Sequence, residues 1–258
     1  MTARFAIYAA PGTGSMDAVA GELREKAEQW LGRGVSGEPV TPGVPAGWTR
    51  ETVDAMTVDA RRYGFHATLK APFRLAEGRT PEDLDDALAR FAAGRAAVMI
   101  PRLSLTRLGD FFALVPGAEA AELYALAEAV VTGFDGFRAP ATEAELARRR
   151  PASLTPRQRE LLRAWGYPYV LDEFRFHLTL TDRIAPGRQP AVERALSGWF
   201  AASLGATVPV DALALFTEAE PGAPFALRAL HPLRPVRAPA PKPAPAPAEV
   251  STVSEGTR

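Results

Sequence analysis

The chain has no cysteine and only three histidines among 258 residues, and its charges cancel, with 30 Lys and Arg against 30 Asp and Glu. Each scarcity excludes some chemistry. Without cysteine there is no disulfide framework, thiolate zinc site, cysteine nucleophile or iron–sulfur cluster. Zero net charge argues against a protein that coats long nucleic acid through counterion release, yet it leaves room for a local basic pocket around a small anion. No apolar run approaches the ~20 residues of a membrane span. The run from Phe5 to Ala10 is too short for a signal-peptide core, so no membrane partner is expected and the expected location is the cytoplasm. What remains is an ordinary globular composition, 47% hydrophobic and 9% aromatic, sufficient for one large domain or two small lobes. The histidines are therefore the scarce chemical resource.

The C-terminus stands apart. Ala238 to Ala248 reads APAPKPAPAPA, an alternation that removes backbone donors and favours an extended chain, so 236–258 reads as a disordered Ala/Pro-rich tail. Upstream, strands and helices mix. Arg4–Ala10 reads as a strand, Ser15–Leu31 as a helix with Ser15 as N-cap, and Thr49–Arg61 as a helical stretch. Pro81–Arg95 reads as a helix capped by Thr80. Pro101–Leu108 and Phe111–Val115 form a hairpin around Gly109-Asp110, and Ala118–Val131 is helical. A second series follows: the strand FRFHLTLTDRI, a helix near Pro190–Leu204, and the strands Val208–Thr217 and Phe225–Leu230.

The two series align. His66 lies 37 residues before Leu103 and 47 before Ala113; His177 lies 36 before Leu213 and 48 before Phe225. Both read as a strand with H-x-T-L, then a helix, then a strand pair. In a strand, side chains alternate faces. Phe65, Ala67 and Leu69 then share a core face, with His66, Thr68 and Lys70 opposite; Phe176, Leu178 and Leu180 face the core, with His177, Thr179 and Thr181 opposite. With 18 threonines in the chain, a given histidine meets one two positions on about once in fourteen by chance, so two such motifs at matching places are a specific signal. The chemistry they suggest is acid–base work at a phosphoryl group. One neutral imidazole removes a proton while a protonated one supplies a proton to the departing oxygen, and the hydroxyls stabilise the growing charge.

These motifs resemble the 2H phosphoesterase superfamily. The strings Arg62-Tyr-Gly-Phe-His-Ala-Thr-Leu-Lys-Ala-Pro-Phe73, Leu154-Thr-Pro-Arg-Gln, Trp165-Gly-Tyr-Pro-Tyr-Val and Glu173-Phe-Arg-Phe-His-Leu-Thr-Leu-Thr181 are similar to its DUF1045 branch, which is associated with carbon–phosphorus lyase genes and phosphonate metabolism. The resemblance covers about 4–235. It implies an α+β, LigT-like fold of two pseudo-symmetric lobes, each a small antiparallel or mixed sheet with helices, and an active-site cleft between them. The expected boundaries are lobe 1 at about 1–117, a helical insert at about 118–170 and lobe 2 at about 171–235. It implies catalytic His66 and His177, phosphate-binding Thr68 and Thr179, and neither metal nor cofactor. The expected activity is hydrolysis of a small cyclic or ribosyl phosphodiester linked to phosphonate utilisation. The alternatives are a non-catalytic phosphometabolite-binding protein and an enzyme that processes RNA 2′,3′-cyclic phosphate ends. The expected partner is a small phosphorylated or cyclic-phosphate substrate rather than long nucleic acid, and the oligomeric state is left open.

Three further residues are substrate-binding candidates, each with a structural alternative. Lys70 is a phosphate contact or a solvent lysine at a strand end. Arg175 is a bidentate phosphate ligand or half of an ion pair with Glu173. Tyr63 is a cleft wall, a base platform or a core residue. The Arg-rich insert 139–170 is a solvated helical pair or a basic lid, its second helix starting at the capping box Thr155–Gln158. His231 lies outside the repeat and is read as non-catalytic.

Overall fold

The computed structural model describes residues 3–235, so the Ala/Pro-rich tail expected over 236–258 lies outside the described residues. The first half runs β1 (Arg4–Ala9), α1 (Ala18–Leu31), α2 (Arg50–Asp54), α3 (Val58–Tyr63), β2 (Ala67–Phe73), α4 (Pro81–Ala93), β3 (Val98–Ile100), β4 (Ser104–Leu108) and β5 (Phe111–Val115). Three helices follow, α5 (Ala121–Gly133), α6 (Glu143–Arg148) and α7 (Pro156–Trp165). The second half adds β6 (Leu178–Thr179), α8 (Gln189–Trp199), β7 (Val208–Val210), β8 (Ala212–Glu218) and β9 (Ala226–Pro232). The result is a mixed α+β fold with antiparallel sheets.

Local chemistry sets the helix ends. α4 and α7 begin at reciprocal capping boxes, Thr80 with Asp83 and Thr155 with Gln158, each followed by proline. α1 departs from expectation. It starts at Ala18, capped by the Asp17 carboxylate on the Ala20 N–H at 2.8 Å, while the Ser15 hydroxyl donates to Asp211 instead. The stretch expected as one helix over Thr49–Arg61 is two, because Thr49 caps α2 and the chain restarts at Thr57.

The order β2-α4-β3-β4-β5 recurs as β6-α8-β7-β8-β9. Pairing does not follow that order. One sheet is β2-β1-β8-β9, another is β4-β5-β6, and β3 pairs with β7. Each ladder except the β1–β2, β4–β5 and β8–β9 contacts therefore joins strands from different halves. β2 also reaches the β8–β9 hairpin through β1, whereas β6 pairs directly with β5. β1 is central and buried on both faces. Phe5, Ile7 and Ala9 point into the main core with Trp30 and Leu23 of α1; Ala6 and Tyr8 point into a smaller cluster with Phe216 and Phe225. That second face carries the candidate site.

Candidate functional site

α3 delivers the chain to the first motif, and both of its ends are held by distant residues. At its N-terminus the Asp182 carboxylate, from the far end of the second motif, accepts the N–H groups of Asp59 at 3.0 Å and Ala60 at 2.9 Å. At its C-terminus the Arg33 guanidinium donates to the carbonyls of Arg61 at 3.1 Å, Arg62 at 2.8 Å and Phe225. Gly64 then turns the chain with φ 73° and ψ −174°, a region open essentially to glycine alone. The turn aims its carbonyl at His66 Nδ1, 3.0 Å away. A carbonyl only accepts, so Nδ1 carries the proton and neutral His66 keeps its lone pair on Nε2. Nε2 lies 3.2 Å from Thr68 Oγ1, which donates to it. The ring stacks on Tyr8 at 3.9 Å and 25°. Burial pushes the His66 imidazole down to about 4; the Gly64 carbonyl opposes this and the charge of His177 adds to it.

The second motif repeats the arrangement. His177 Nδ1 is 2.7 Å from the carbonyl of Arg175, again two residues earlier, so its Nε2 is likewise left for chemistry. The strand that carries it is short. Leu178 and Thr179 pair with Leu114 and Ala113, after which the Leu180 N–H reaches the Phe112 carbonyl at 2.9 Å and Thr181 Oγ1 accepts the Phe112 N–H at 2.9 Å. The Trp30 indole donates to the Leu180 carbonyl at 2.7 Å and fixes this segment on α1. The alternation holds: Phe65, Ala67, Leu69, Phe176, Leu178 and Leu180 are all buried.

An open cavity of about 1090 Å³ joins the two motifs. His66, Thr68, Thr179, Tyr63 and Phe111 line it. His177 sits beside this lining, its ring 5.9 Å from that of Phe111, and its charge is felt at His66. Tyr63 forms a cavity wall and also packs, stacking on Phe225 at 5.1 Å. Lys70 does not reach the cavity. Its ammonium is buried on the Val131 carbonyl at 3.0 Å and Asp135 at 3.3 Å, and burial pushes its pKa down to about 8. The reason is an irregularity in the β1–β2 ladder: Tyr8 pairs with Thr68 but Ile7 with Lys70, so the alternation slips and Leu69 and Lys70 are both buried. Arg175 points to solvent outside the lining and contributes its carbonyl rather than its guanidinium. His231 bonds Asp85 of α4 at 2.7 Å, away from the cavity.

Several lining residues lie outside the two H-x-T-L motifs. Arg4 and Arg62 converge on Glu218, a fully buried carboxylate that also accepts the Gly222 N–H at 3.0 Å. Burial alone would raise the Glu218 pKa, but the hydrogen bonds from Arg4, Gly222 and Arg62 hold it below the usual carboxylate range. From the insert come Arg138, Arg148, Arg149 and Tyr167, with the Arg149 guanidinium 4.8 Å over the Tyr167 ring. Burial raises the Tyr167 hydroxyl, and Tyr63 adds to the shift. Only strand pairing across the chain brings Tyr8, Arg4 and Glu218 to His66, and no local spacing encodes that. Among the described residues no group of three His, Asp or Glu side chains is arranged to hold a metal ion.

The chain is 43% identical over 231 residues to a protein named ribose 1,5-bisphosphate phosphokinase PhnN from Janthinobacterium sp. (strain Marseille), covering 86% of this chain and 49% of that protein. It is 36% identical over 224 residues to the protein of the same name from Laribacter hongkongensis (strain HLHK9), covering 87% and 50%. The chain thus spans about half the length of these curated relatives. A solved structure described as a crystal structure of phosphoesterase aligns over 90% of this chain and 98% of its own, at 14% identity and a TM-score of 0.37. The family model described as protein of unknown function (DUF1045) matches residues 68–226, from Thr68 of the first motif through the second motif to β9. The chain belongs to the DUF1045 family.

Proposed function

We propose that the chain is a metal-independent phosphodiesterase of the 2H type that hydrolyses a small cyclic or ribosyl phosphodiester, linked to phosphonate utilisation. The observation that carries this reading is the equivalence of the two imidazoles. Each has Nδ1 tied to the carbonyl two residues before it and a threonine two residues after it that lines the cavity. A pocket that only binds needs no second titratable group with its tautomer fixed in the same way.

The reaction divides between them. His66, held neutral by burial, accepts a proton from water at Nε2 while the water oxygen bonds phosphorus. The ester P–O bond breaks, and His177 gives its Nε2 proton to the departing oxygen. The products are a phosphomonoester and a free hydroxyl, and proton exchange with solvent resets the pair. Thr179 donates to a phosphoryl oxygen, and Thr68 turns its hydroxyl from His66 Nε2 to another, which frees Nε2 and stabilises the charge that grows in the transition state. The phosphorylated pentose in the relatives' name supports a phosphorylated sugar as the substrate class.

The test offers purified protein, in EDTA, a panel of 2′,3′-cyclic nucleotides and ribosyl phosphonate esters. Loss of one acid–base group costs roughly 10²–10⁴ in rate, so His66→Ala and His177→Ala each reduce turnover at least a hundredfold. Turnover equal in the wild type and both variants refutes the two-histidine mechanism.

A further inference from the structure

The charge of the cavity is out of proportion to a phosphodiester. Seven arginines and three carboxylates line it. Two more carboxylates, Glu218 and Asp135, bond lining arginines from behind. The local balance is seven positive against five negative, an excess of two, in a chain whose total is zero. The other charged side chains then number 23 cationic and 25 anionic, so the rest of the chain is slightly acidic. Four of the seven arginines are committed, Arg4 and Arg62 to Glu218, and the others to Glu145 and Asp135. Arg148, Arg149 and Arg183 line the cavity with no ion-pair partner among the described residues. Arg149 lies across Tyr167, which holds the guanidinium plane at the cavity wall.

A phosphodiester carries one negative charge and engages the histidine–threonine pairs. It leaves these arginines unused. A terminal phosphate carries about −1.5 to −2 and three strong acceptors, which suits an unpaired, partly stacked guanidinium. We infer that the substrate bears a second phosphate group besides the scissile diester, and that Arg148 and Arg149 at the end of α6 receive it. This inference rests on the phosphodiesterase reading above. A small multiply phosphorylated metabolite fits better than an RNA strand, because the chain outside the cavity carries no net positive charge to hold an extended polyanion.

Two probes that differ by one group test it: adenosine 2′,3′-cyclic phosphate and the same compound phosphorylated at the 5′ position. Charge-assisted hydrogen bonds to a terminal phosphate predict a kcat/KM higher by roughly tenfold or more for the 5′-phosphorylated compound. The double variant Arg148→Ala/Arg149→Ala brings that ratio close to one, and Arg148→Lys/Arg149→Lys restores part of it. Equal kcat/KM for the two probes in the wild type, or an undiminished ratio in the alanine variant, overturns the inference. If neither probe is turned over, the phosphodiesterase reading fails separately, and titration calorimetry of both probes still decides. Tenfold tighter binding of the 5′-phosphorylated probe, lost in the alanine variant, sustains the second-phosphate site. Equal affinities or no binding refute it. An RNA hexamer with a 2′,3′-cyclic end that displaces the 5′-phosphorylated probe at equal concentration overturns the small-metabolite assignment.

Discussion

Acid provides a direct probe of the His66 environment. The imidazole titrates at about 4 in the folded chain against an ordinary 6.5. The unfolded chain therefore binds a proton that the folded chain refuses across that window. Stability contributed by neutral His66 is fully present above pH 6.5, falls as the pH drops, and is exhausted near pH 4. The difference is worth roughly 3 kcal/mol when fully expressed, and roughly 2 kcal/mol of it is already lost at pH 5. His66→Gln removes the titration and leaves the other two histidines in place. Urea unfolding at pH 7.5 and pH 5 then gives a stability loss for the wild type that exceeds the loss for the variant by roughly 2 kcal/mol. Identical losses would refute the half-buried, Tyr8-stacked imidazole. So would a His66 ring proton that titrates near 6.5 by NMR. On the proposed mechanism, with His66 as base, kcat/KM holds well below pH 6.5 on the His66 side.

Two substitutions test how that imidazole is held. Gly64→Ala forces a side chain into φ 73° and ψ −174°, costing roughly 1–3 kcal/mol of strain. The carbonyl that fixes His66 Nδ1 shifts with it, so kcat falls more than melting temperature alone accounts for; an unchanged kcat would separate the carbonyl from catalysis. Asp182→Ala strips two N–H groups of α3 of their acceptor and lowers stability by about 1 kcal/mol, with a loss of activity although residue 182 belongs to the second motif. Retention of both, by thermal melts and the cyclic-phosphate assay, would show that the tie across the halves is dispensable.

The two histidine–threonine pairs of the candidate site were written locally, and their frame was not. Period-2 alternation places His66 with Thr68 and His177 with Thr179 from sequence alone, because Phe65, Ala67 and Leu69 and their counterparts Phe176, Leu178 and Leu180 must be covered. Lys70 escaped the pattern because a single slip in the ladder against Ile7 turns it inward, and bulges leave no regular mark in composition. Arg175 looked like a ligand because of its charge, yet its contribution is a backbone carbonyl, which any residue possesses. The Thr155 capping box was legible since its partners lie three residues apart, and Thr80 was legible as an N-cap from the proline and acidic residues that follow it. Glu218 was not, as its arginines are 214 and 156 residues away. The repeated element order was visible in the spacing of the motifs. The exchange of strands between halves was not, since it depends on which edges meet in space.

That exchange has a consequence for biosynthesis. β1 and its partner β8 lie far apart in the chain, with Arg4 paired to Glu218. At about 5–20 residues per second, roughly ten to forty seconds separate the synthesis of these two strands. During that interval the apolar string Phe5-Ala-Ile-Tyr-Ala9 has one open edge, and Ala6 and Tyr8 lack the cover of Phe216 and Phe225. The scaffold beneath His66 thus closes only after β8 has been made.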